Sequence, residues 1–151
     1  MKSKKSNIAE YILYLWQIED YLRAFPQQAD ANPELKEIAE MMHAEGIMER
    51  GHLQLAENAL SELEDLSREL AEDDATYRAA VMRLTPQLNL LKAKTDDPTM
   101  SDMRACFVLL YQIMLLRLKK QEISQETEAT VQQVSSLVRF LCRAYAEEDN
   151  A

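Results

Sequence analysis

Glycine occurs only twice in the 151 residues, at Gly46 and Gly51, and proline four times. Tight hairpins draw on glycine to reach positive φ, so a many-stranded sheet lacks its turn chemistry here. Helices remain, and the spacing of the apolar residues marks out six of them.

The first predicted helix runs from Asn7 to Phe25, with Asn7 and Glu10 at the spacing of a capping box and Pro26 as its stop. A polar loop, 27–32, leads to Pro33 at the first position of a second helix ending at Glu45, where its missing N–H costs nothing. Gly46 is read as a break. The third helix then continues to Glu72 on a stripe of Leu53, Ala56, Leu60, Leu63 and Leu70. The fourth, from Asp74 to Lys94, contains Pro86 and is expected to kink there. The fifth spans Met100 to Gln121. The sixth is capped by Ser124 and ends near Tyr145, with Val131, Val134, Val138 and Leu141 on a narrow seam. The short connection between the last two predicts a hairpin. The fold class expected is all-α, an antiparallel helical bundle of five or six helices, in one domain over 1–151 with frayed tails at 1–6 and 147–151.

Charge narrows the partners. With 26 acidic and 17 basic residues the net charge is −9, which repels phosphate backbones and argues against nucleic acid. Lys2, Lys4 and Lys5 form the only dense basic cluster and read as a solvated tail. Cys106 and Cys142 make no disulfide framework, and no signal-peptide pattern opens the sequence, so a cytoplasmic location is expected.

Two helices are more apolar than a surface helix needs to be. Ala105 to Leu118 is apolar on nearly every side, but its 14 residues fall short of the about 20 a bilayer requires. It is therefore expected at the centre of the bundle, where Gln112 would need partners, since an unpaired buried amide costs about 1–3 kcal/mol. In the first helix, Ile8, Tyr11, Leu15, Ile18, Leu22 and Phe25 form the stripe that faces the core. Ala9, Ile12, Leu13 and Trp16 form a second apolar side. That side either packs beneath another helix of the same chain, or forms a partner surface anchored by Trp16, or lines a ligand groove. Ile12, Leu13 and Trp16 are the interface candidates, and a homodimer or a complex with another protein is the expectation.

Glu-x-x-His occurs twice, as Glu40 with His43 and Glu49 with His52. Such pairs on two different helices can hold two metal ions. Nine residues apart on one helix they are about two and a half turns out of register and face opposite sides; only a sharp bend at Gly46 would bring them together. They are the first suspects for the competing reading, a metal-dependent or small-molecule enzyme. No cofactor is implied: two glycines cannot build a phosphate-binding loop, and neither cysteine lies in a ligand motif. A pocket for an apolar ligand near Pro86 is a third reading.

The strings NIAEYILYLWQIED (Asn7 to Asp20), EGIMERGHLQ (Glu45 to Gln54) and CFVLLYQIMLLRLKKQEISQET (Cys106 to Thr127) resemble a bacterial family, mainly from Bacteroidetes, known only as a domain of unknown function. The resemblance implies an all-helical fold and brings no catalytic residue with it. It implies that Gly46, Gly51 and His52 occupy a structurally particular place, with Gly51 allowing close approach and His52 capping or bridging.

Overall fold

A computed structural model describes residues 3, 4 and 6–149. Lys2 and Lys5 of the basic cluster, with Met1 and 150–151 of the expected tails, lie outside the described residues. Among the described residues there are six α-helices, one short 3-10 helix and no strand. They are α1 (Ile8–Ala24), α2 (Pro33–Glu45), α3 (Gln54–Asp73), α4 (Ala75–Ala93), α5 (Asp102–Leu118) and α6 (Gln125–Asp149), with the 3-10 helix Pro26–Asp30 following α1. The chain forms two compact units, Met1–Glu62 and Leu63–Ala151, with the boundary inside α3.

Helix starts follow local chemistry. The side chains of Asn7, Asn32, Asp74 and Ser101 each accept a backbone N–H of the first turn, from Glu10, Leu35, both Thr76 and Tyr77, and Arg104 respectively. Each satisfies a donor that the helix geometry leaves without an internal partner. Pro33 stands in the first turn of α2 as expected. The predicted loop after Pro26 is the 3-10 helix instead.

In the first unit α1, the 3-10 helix and α2 pack together. Ile8, Tyr11, Leu15 and Leu22 are buried, and so are Ala9, Ile12 and Trp16 of the second apolar side. The Tyr14 hydroxyl donates to Glu34 Oε1 at 2.6 Å, tying α1 to α2. Burial, helped by this bond, pushes the Tyr14 phenol up to about 12. Lys4 pairs with Glu62 at 3.0 Å.

In the second unit α4, α5 and α6 pack pairwise. Leu84, Leu88, Met103, Cys106, Phe107, Ile113, Val134, Leu137 and Leu141 are buried there. Lys92 bonds Asp102 at 2.6 Å, and Arg117 pairs with Glu128 at 3.2 Å. α4 passes through Pro86, which is exposed. Two expectations for α5 are corrected. Gln112 is exposed, and Val108, Leu109, Leu110, Leu115 and Leu116 are only half-buried, so α5 is not fully enclosed. α6 continues past Tyr145 to Asp149.

Candidate functional site

The third helix does not resume at Gly46. Residues 46–53 form an irregular loop between α2 and α3, and two side chains one turn apart on α1 hold it. Gly46 ends α2 in the left-handed conformation at φ 69°, with the Ile47 N–H reaching back to the Met42 carbonyl at 3.0 Å. Glycine closes a helix in this conformation at the lowest cost, because it has no Cβ to crowd the backbone. Gly51 sits at φ 100°, and a Cβ there would meet Ile47 Cγ2 at 3.3 Å. Both glycines thus shape the loop backbone.

Arg23 donates to the carbonyls of Ile47, at 2.9 Å, and of Gly51. One turn earlier lies Glu19, whose side chain is 0% exposed. Its Oε2 accepts the Leu53 N–H at 2.8 Å, and its Oε1 lies 2.7 Å from His52 Nδ1. The His52 ring stacks on Trp16, with centroids 4.5 Å apart and planes 18° apart. Glu45, the last residue of α2, accepts the Gln54 N–H at 2.8 Å and so caps α3.

A carboxyl group bonded to an imidazole is also the arrangement that orients a catalytic histidine. Here one carboxyl oxygen is committed to a backbone N–H and one face of the ring lies against Trp16. The geometry is that of an anchor: Glu19 fixes the start of α3, and His52 covers the Trp16 ring.

The sequence candidates are thereby located. Ile12 is 0% and Trp16 3% exposed, within the first unit, and Leu13 is half-buried. The exposed large apolar side chains of α1 and its C-cap are Tyr21 and Phe25, whose rings lie 5.4 Å apart; Phe25, expected on the core stripe, lies outside the core instead. Glu40, His43 and Glu49 are exposed, while His52 turns to Glu19. Among the described residues no three His, Cys, Asp or Glu side chains gather into a metal-holding group. Glu19 and Arg23 are the residues that sequence reasoning missed as a pair. The available signal was the position of Glu19 on the buried line of Leu15 and Leu22, where an apolar residue is the usual occupant.

The second unit holds two concavities. One, of about 250 Å³, is lined by Val81, Leu84, Leu88, Met103 and Cys106, with Arg68 and Asp102 among its polar residues. Burial pushes the Cys106 thiol up to about 12, which makes it a core group and a poor nucleophile. The other, of about 430 Å³, is a groove between α4 and α6 bounded by Tyr77, Ala80, Leu84, Leu137 and Phe140. The Tyr77 ring stacks on Phe140 at 5.6 Å, and its hydroxyl lies 2.6 Å from Ser67 Oγ.

These features define an all-helical protein with an anchored interhelical loop and an apolar groove. The chain belongs to the family described as Domain of unknown function (DUF4924), whose model matches residues 1–34 and 26–151. Neither a curated protein nor a solved structure gives a match.

Proposed function

We propose that this protein is a non-enzymatic interaction module that self-associates, and that the surface it uses is on α5. One observation carries the reading: Val108, Tyr111, Leu115 and Leu118, at spacings of three, four and three, form a single apolar stripe that the chain leaves incompletely covered. The first three are half-buried and Leu118 is 64% exposed. A helix apolar on all sides is normally enclosed, and an apolar stripe at this spacing is what a second helix packs against. Placing the surface here rather than at Ile12, Leu13 and Trp16 follows from the cover those residues already have. Trp16→Asp would put a charge into the first unit's interior and would report on folding rather than association.

We read the arrangement as an antiparallel bundle, supported by the short α5–α6 connection and by the Arg117–Glu128 pair that closes it. The cytosol is the location we propose, on the strength of two cysteines that are not bonded to each other. No helix among the described residues is long and apolar enough to cross a membrane.

Light scattering on the size-exclusion peak tests the reading. The expected result is a dimer that Leu115→Asp combined with Leu118→Asp converts to a monomer, with helicity retained and the melting temperature no longer dependent on protein concentration. A monomer at every concentration, or a dimer indifferent to the double substitution, overturns it.

A further inference from the structure

We propose that the groove between α4 and α6 is a binding site for a medium-chain monocarboxylate, its chain lying on Tyr77, Leu84, Leu137 and Phe140 and its carboxylate on Arg83. At about 430 Å³ the groove has the capacity of a small-molecule site. Its floor is fixed in advance. Tyr77 is buried with its hydroxyl committed to Ser67, and its ring is stacked on Phe140. Phe140 is nevertheless 43% exposed, an aromatic face turned outward along the groove rather than closed into the core.

The charges on the lining select the ligand's head group. Arg83 and Asp74 are the two ionisable side chains of opposite sign that line the groove. Asp74 is the N-cap of α4, and its Oδ1 already accepts the N–H groups of Thr76 and Tyr77. Arg83 has no hydrogen bond or ion pair to any described residue, in a chain whose net charge is −9. Nine residues along α4 separate the two, about 13 Å of helix axis, so an anionic head is drawn to the Arg83 end and repelled from the other. A single guanidinium matches a single carboxylate, whereas a phosphate dianion would call for a second cation. Gln132, Gln133 and Ser136 add neutral polar groups to the rim. Between the charged ends Tyr77, Ala80, Leu84, Leu137 and Phe140 form an apolar floor, on which an alkyl chain lies with Thr76 beside it.

Isothermal titration of the full chain with octanoate, octanol and octylammonium tests this. The three share a chain and differ in head group. Octanoate is expected to bind saturably, with the other two weaker by about tenfold or more. Arg83→Gln is expected to weaken octanoate by about tenfold and leave octanol unchanged, and Phe140→Ser to weaken both. Arg83 and Phe140 are both exposed, so circular dichroism of each variant should match the parent. Absence of saturable octanoate binding, which is what a groove reserved for a protein helix would give, overturns the proposal. Equal binding of octanoate and octanol, or indifference to Arg83→Gln, overturns it as well.

Discussion

The two units treat surplus apolar surface in opposite ways. In the first, α1 has two apolar sides, and the chain closes over both, with the His52 ring laid on Trp16 and the loop 46–53 drawn in by Glu19 and Arg23. In the second, α5 is apolar all round yet incompletely covered, and the α4–α6 groove stays open. An amphipathic excess is therefore no sign of an interface by itself. What decides is whether a nearby loop carries the polar groups that can be anchored while it covers the face.

The contrast can be broken most forcefully at Trp16. Trp16→Ala removes the largest side chain of the covered face and should cost about 4 kcal/mol in urea unfolding, the range for a buried aromatic cut to alanine. A cost below about 1 kcal/mol would mean the face is not truly buried. Glu19→Ala should follow at about 3 kcal/mol, since it strands the buried Leu53 N–H and leaves His52 without its partner.

Gly51→Ala is expected to cost about 1–2 kcal/mol, from its positive φ and from crowding of Ile47. Gly46→Ala should cost about 1 kcal/mol, because nothing stands within 4 Å of the added carbon and only the backbone conformation is penalised. Thermal melts of the pair resolve that difference. At the open surface of the second unit, Leu118→Asp should change monomer stability by no more than about 0.5 kcal/mol. A larger loss would show Leu118 to be part of the fold.

Much of the fold was legible because it is decided within one turn of helix. Asn7 and Asp74 accept from donors two or three residues away, and Pro33 lacks the N–H that would go unpaired at a helix start, so sequence spacing alone places them. The loop 46–53 was not legible. Ile47, Met48 and Leu53 continue an apolar helical rhythm, and what overrides it is a pair of side chains on α1 some thirty positions earlier. Glu19 was hidden for a related reason: an acidic residue in a helix reads as solvent-facing unless its distant donors are known. For α5, uniform apolarity says that the helix wants cover and does not say which side receives it.

The anchored loop also has a bearing on proteolysis. Arg50 is an exposed basic residue in the middle of the loop, which chemically makes it a trypsin site. A protease needs an extended stretch of backbone, and this stretch is tethered at Ile47, Gly51 and Leu53. Cleavage after Arg50 therefore has to wait for the tethers to open. The nicking rate in native buffer becomes a clock for that opening, readable from a single gel band.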